Sequence, residues 1–132
     1  MIVDTSVIIC LLREEPETAR FVPLLLANFG KLKMSAANFL EACIVIDSLH
    51  DEVLAERLEF IISHFGIEVL PVTVWQVTIA RRAYAKYGKG NGRARLNFGD
   101  TFAYALSMDR NEPLLFKGDD FSQTDVMVAT RP

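Results

Sequence analysis

"MIVDTSVII", residues 1–9, decides how the rest of the chain is read. Met1-Ile2-Val3 has the character of a short buried strand, and Asp4 ends it. Val7 to Leu12 continues as a short helix, with Thr5 or Ser6 as its N-cap. Strands of parallel sheets are usually apolar on both faces, and ligands bind beyond their carboxyl ends. An acid at the tip of such a strand sits where the chemistry of these sheets is placed, so Asp4 is the first candidate catalytic and metal-binding residue.

The same alternation continues down the chain. Strands are expected at 31–35, 67–72 and 113–116, with a short one at 126–129. Between them lie helical stretches. One follows Pro16, a good first-turn residue, and ends at Gly30, with Pro23 expected to kink or restart it. Ser35 precedes a helix over 36–49, and acids open another over 51–66. Thr73 caps 74–87, which Gly88 ends. A glycine-rich loop, 88–99, leads to a helix starting at Asp100. Strands separated by helices require crossover connections. The expected fold class is therefore α/β, a three-layer α/β/α sandwich around a mostly parallel sheet of about five strands. The 132 residues suffice for one domain, 1–132, and an apolar fraction of 51% supports a well-buried core.

Composition narrows the setting. No apolar run reaches the ~18 residues that suggest a membrane span. Asp4 comes too early for a secretory signal, and no basic stretch precedes an apolar region. Cys10 and Cys43 lie in apolar surroundings and read as reduced core thiols of a cytoplasmic protein. No Cys/His spacing suggests zinc, and His50 and His64 are isolated near helix ends. Net charge is −3, yet six basic residues and no acid lie from Arg81 to Arg95. That segment carries +6 and the remainder −9, a basic patch of the kind phosphodiester backbones attract.

The remaining candidates are acids in unusual places. In "SAANFLEACIVI", residues 35–46, Asn38 and Glu41 are the chief polar residues of an apolar helix expected to be buried on most faces. A carboxylate there needs a partner or a cation. Asp100 opens an apolar helix after Gly99, and Asp119-Asp120 follow "PLLF" in a Gly-Asp-Asp turn. Taken singly, a solvent-facing glutamate, an N-terminal acid and a turn are ordinary features. Together they put four acidic positions at strand ends and helix starts. Clustered carboxylates repel and need protons or cations. Mg²⁺ or Mn²⁺, hard ions that prefer oxygen ligands, suit the set. An acidic centre beside a basic margin reads as a metal-dependent phosphodiesterase acting on nucleic acid.

"MIVDTSVII" (1–9), Glu41 in "SAANFLEA", "YGKGNGRARLNFGDTFAYALS" (87–107) and "PLLFKGDDFSQTDV" (113–126) strongly resemble PIN-domain ribonucleases, most closely the VapC toxins of type II toxin–antitoxin pairs. The resemblance covers essentially the whole chain. It implies a PIN-like sandwich and an endoribonuclease centre on Asp4, Glu41, Asp100 and either Asp119 or Asp120. It also implies structured RNA, tRNA or rRNA, as substrate, a VapB antitoxin that covers the site, and a homodimer. Asp4 and Asp100 are the expected ligands of the principal Mg²⁺ or Mn²⁺, in a one-metal or two-metal site. Ser6 is expected to bind an acid or the phosphate, or simply to cap a helix. Lys89, Arg93 and Arg95 are the candidate contacts to the RNA backbone. Two rival readings are weaker. A phosphatase of the haloacid dehalogenase type wants an aspartate where Ser6 stands, and a receiver domain wants paired acids after its first strand. A non-catalytic RNA- or protein-binding module would not need all four acidic positions filled.

Overall fold

The computed structural model describes residues 1–91 and 93–129. Four strands, β1 (Ile2–Val3), β2 (Lys33–Ser35), β3 (Glu68–Leu70) and β4 (Leu114–Leu115), form one sheet in the order β3-β2-β1-β4. Every pairing is parallel. Six helices complete the described residues: α1 (Thr5–Leu12), α2 (Thr18–Ala27), α3 (Ala36–Asp47), α4 (Glu52–His64), α5 (Val74–Tyr87) and α6 (Phe98–Arg110).

The strands are short but buried, and their register sorts side chains to two faces. Ile2 pairs with Leu114 and Val3 with Leu115. Ile2 and Leu114 join a core with Leu106, Ala103 and Phe121, under α5 and α6. Val3, Met34 and Leu115 face the other way, into a larger core filled from α1 to α4 by Leu12, Phe21, Leu25, Ile46 and Leu58. Successive residues of a strand point to opposite faces, and this gives the expected three layers. The order 3-2-1-4 reverses at β1. Connections leave to one side for β2 and return on the other for β4, so a crevice opens at the carboxyl ends of β1 and β4.

Several sequence expectations need correction. The sheet has four strands rather than five. Val128 meets Leu114 through a single bridge, because the edge strand it approaches is only two residues long. Pro23 neither kinks nor restarts a helix strongly enough to divide it: α2 runs through it, with the proline on the exposed side. The cap of α1 is Asp4 itself, whose side chain accepts a hydrogen bond from Ser6 N, not Thr5 or Ser6. α6 starts two residues before Asp100, at Phe98, because Asn97 caps it. α3 ends at Asp47 and is not buried on most faces: Leu40 and Ile44 are exposed, beside a still more exposed Phe98 on α6.

Candidate active site

Asp4 leaves β1 directly into α1. Its backbone N–H is bound to Leu115 O at 3.0 Å, which fixes it against the end of β4. Its carboxylate is almost fully buried, and Oδ2 accepts from both Ser6 N (3.0 Å) and Ser6 Oγ (2.6 Å). Ser6 Oγ in turn accepts from Lys117 N at 2.9 Å. One hydroxyl thus links the first acid to the segment leaving β4. Burial raises the pKa of Asp4; the Ser6 hydrogen bonds oppose this, and the negative charge of Glu41 reinforces it.

Glu41 reaches the same crevice from α3. Thr5 Oγ1 donates to its Oε2 at 2.6 Å, and Thr5 Oγ1 also lies 3.1 Å from Asn38 O. Asn38, one turn earlier on the same helix face and fully buried, donates through Nδ2 to Gly99 O (3.0 Å) and, more weakly, to Glu41 Oε2 (3.5 Å). The carboxylate lies so close to Gly99 that a Cβ there would sit 2.8 Å from Glu41 Cδ and Oε2, and nearer still to Oε1.

Asp100 is held in a reciprocal cap at the start of α6. Its N–H donates to Asn97 Oδ1 (3.0 Å), while its Oδ2 accepts from Asn97 N (2.7 Å). A capping carboxylate on the surface would titrate low. This one is 9% exposed, and its pKa is pushed up to about 7. Burial is the main cause, opposed by the Asn97 hydrogen bond; the charges of Asp4, Asp120 and Glu41 add to it. Those three charges single out the acids that share the crevice with Asp100.

The Gly-Asp-Asp turn is thereby divided. Asp120 contributes to the field at Asp100. Asp119 instead lines a separate cleft with Glu17, Arg20, Lys117 and Ser122. Gly118 takes φ +95°, a conformation that favours glycine, and Phe121 is buried in the α5–α6 core. The two residues fix the turn between them.

Asp4, Glu41 and Asp100, with Asp120 close enough for its charge to act on Asp100, thus reach the same edge of the sheet with oxygen donors only, the donor chemistry of a hard divalent cation, although among the described residues no three of their carboxylates lie within 4.8 Å of one another. A second acidic group, Glu15 and Glu17 near Cys10, has a different character. Lys117 Nζ pairs with Glu15 and lies 3.1 Å from Glu17, so a cation of the protein already sits there.

The basic candidates lie outside this cluster. Lys89, Arg93 and Arg95 are exposed, and among the described residues none is ion-paired. Ala94 and Leu96 alternate with the arginines and are buried, which turns Arg93 and Arg95 outward. The segment is held by Leu96 N to Tyr87 O (3.0 Å) and Lys89 N to Leu96 O (3.1 Å), and it leads directly to Asn97. Among the described residues, Lys86 alone of the basic run is paired, with Asp125 at 3.3 Å. Sequence reasoning did not assign Thr5, Asn38 or Gly99 to the site. The available signal was Asn38, which shares a helical face with Glu41 in an otherwise apolar run.

The PIN domain family matches residues 1–127. The chain is 48% identical over 130 residues to ribonuclease VapC28 of Mycobacterium tuberculosis, covering 98% of this chain and 97% of that protein. It is 38% identical over 132 residues to ribonuclease VapC30 of the same organism, covering 100% of both. Among solved structures, the fold resembles M. tuberculosis VapC20, described as a sarcin-ricin loop cleaving toxin, with a TM-score of 0.75 at 15% identity and 97% of both chains covered. It also resembles FitAcB of Neisseria gonorrhoeae, with a TM-score of 0.74 at 23% identity, covering 98% of this chain and 96% of that one. A profile spanning nearly the whole chain and relatives of almost half identical sequence agree with the carboxylate crevice: the chain belongs to the PIN-domain family, among the VapC ribonucleases.

Proposed function

We propose that this protein is a Mg²⁺- or Mn²⁺-dependent endoribonuclease, the toxin of a type II toxin–antitoxin pair. The observation that carries the proposal is the meeting of acids from distant segments at one sheet edge: Asp4 and Asp100 are buried there, and Glu41 is held by Thr5 and packed against Gly99, the neighbour of Asp100. Such a cluster is costly without a counter-charge and favourable with one. When bound, a divalent cation would acidify a water and offset charge on the scissile phosphate.

The protein's own groups divide the remaining work. Asp4 and Asp100 would hold the ion. Ser6 keeps Asp4 in one orientation and secures the β4 loop through Lys117 N. Glu41 and Asp120 would complete the acidic set or orient the water. Asp119, turned to a different cleft, has a lesser part. Lys89, Arg93 and Arg95 contact RNA phosphates from the outward face of the segment before α6. Arginine forks suit phosphate oxygens, and such contacts position the backbone rather than read bases.

Structured RNA, tRNA or rRNA, is the substrate in this reading, and a VapB-type antitoxin the inhibitor. An apolar groove between α3 and α6, lined by Leu40, Ile44, Phe98 and Phe102, opens beside Glu41 and supports a partner that covers the site. A homodimer, a single domain over residues 1–132 and a cytoplasmic location belong to the same reading. No helix among the described residues is long and apolar enough to cross a membrane.

The test is incubation of total RNA with purified protein in Mg²⁺ or Mn²⁺ against EDTA, with Asp4→Asn alongside. Discrete metal-dependent fragments that vanish in a folded Asp4→Asn protein are expected. Equal cleavage by the variant, or cleavage in EDTA, refutes the assignment. Metal-dependent RNA binding without cleavage would favour the non-catalytic module.

A further inference from the structure

We propose that Gly99 is a positioning residue, whose missing side chain leaves the seat in which the carboxylate of Glu41 rests against the first turn of α6. The inference rests on the reading above in which Glu41 completes the acidic set around the ion. Gly99 lies inside α6 and does not have the positive φ of Gly30, Gly66, Gly90 and Gly118. Its backbone is open to any residue, and glycine favours a helix less than alanine does. Helix formation therefore gains nothing from glycine here. The gain lies across the crevice: the space a Cβ would fill holds Glu41 Cδ and Oε2 at 2.8 Å, with Oε1 nearer still.

The other walls of the seat have matching chemistry. Thr5 Oγ1 (2.6 Å) and Asn38 Nδ2 (3.5 Å) both donate to Oε2. The same Asn38 amide holds Gly99 O at 3.0 Å, so it ties the floor of the seat to the helix that carries Glu41. A glutamate side chain is rich in rotamers, and ordering it costs conformational entropy. The two donors and the bare Cα confine it to one position beside Asp100, the next residue along α6.

Adding a methyl group at Gly99 discriminates site from fold. The atoms it would strike are the far end of a flexible side chain, so the strain is relieved if Glu41 swings away. α6 keeps its geometry, and Thr5 loses its bond to the carboxylate while keeping Asn38 O as an acceptor. Displacement of a reacting group by about 1 Å can cost ~10²-fold in rate. The basic segment that binds RNA is untouched, so the loss falls on kcat and leaves KM.

The experiment compares wild type, Gly99→Ala, Glu41→Ala and the double variant. It uses the crystal structure of Gly99→Ala, melting temperature, kcat and KM for RNA, and Mn²⁺ affinity by calorimetry. The expected result is an unlowered melting temperature, a broken Thr5–Glu41 hydrogen bond, a kcat reduced at least tenfold with KM unchanged, and weaker Mn²⁺ binding. Gly99→Ala should then cost nothing further in the Glu41→Ala background. An undisplaced Glu41, or an equal loss with and without Glu41, overturns the proposal. If the wild type neither cleaves RNA nor binds Mn²⁺, the metal-site reading fails on its own. The position of Glu41 in the variant crystal then upholds or overturns the seat independently.

Discussion

Asp100→Asn is expected to stabilise the metal-free protein at pH 8 and to leave it unchanged at pH 4. The carboxyl's ordinary value is 3.8, and in the folded protein it is raised to about 7. A raised carboxyl keeps its proton in the native state after the unfolded chain has lost it. Wild-type stability therefore falls as pH climbs from about 4 to 7 and then levels off. At 1.36 kcal/mol per pH unit the ceiling is about 4 kcal/mol. Screening through the open side of the crevice brings the expected effect to about 2 kcal/mol. Asparagine removes that cost and keeps the cap, since its Oδ1 can accept from Asn97 N as Asp100 Oδ2 does. Urea melts of EDTA-treated proteins at several pH values read the difference directly, and a melting-temperature rise of roughly 5–10 °C should accompany it at pH 8. With Mn²⁺ at 100 times its Kd, the wild type should regain about 2.7 kcal/mol, and the variant much less. A stability difference independent of pH, or a variant weaker than wild type in EDTA at pH 8, would refute the reasoning.

The turn after β4 offers a sharper contrast. Asp120→Asn should reduce RNA cleavage at least tenfold more than Asp119→Asn, because the charge of Asp120 acts on Asp100 whereas Asp119 lines a separate cleft; single-turnover rates of the two variants decide it. Arg93→Ala and Arg95→Ala should each weaken RNA binding about equally for unrelated sequences and lower the salt slope by about one. Fluorescence anisotropy at several salt concentrations measures both.

What could be read in the sequence was what depends on local pattern. Apolar runs alternating with helical stretches required a parallel sheet, and Asp4 at the end of the first run marked its functional edge. Asp100 and Glu41 were recognisable as acids in apolar company. What stayed hidden depended on tertiary placement. That Asp119 and Asp120 face different surroundings depends on Phe121 being anchored in the core and on Gly118 turning the chain, which local pattern does not reveal. The supposed fifth strand failed because β4 offers an edge of only two residues. The start of α6 was misplaced because Asn97 and Asp100 cap one another, so the acid is the third helical residue rather than the first. Leu40 and Ile44 have core composition yet face outward, an arrangement that composition does not distinguish from burial.

The position of β1 in the sheet also sets when the crevice can exist. Its neighbours are β2 and β4, and the N–H of Asp4 is held by Leu115. A growing polypeptide that has reached α6 already contains Asp4, Glu41 and Asp100, but it lacks both the strand that secures the first of them and the turn that carries Asp120. The acids become one site only after residue 120 has been made and β4 has docked beside the oldest strand. Translation thus delays the assembled carboxylate cluster until nearly the whole fold has been synthesised, and a chain released before that point carries the acids without the site.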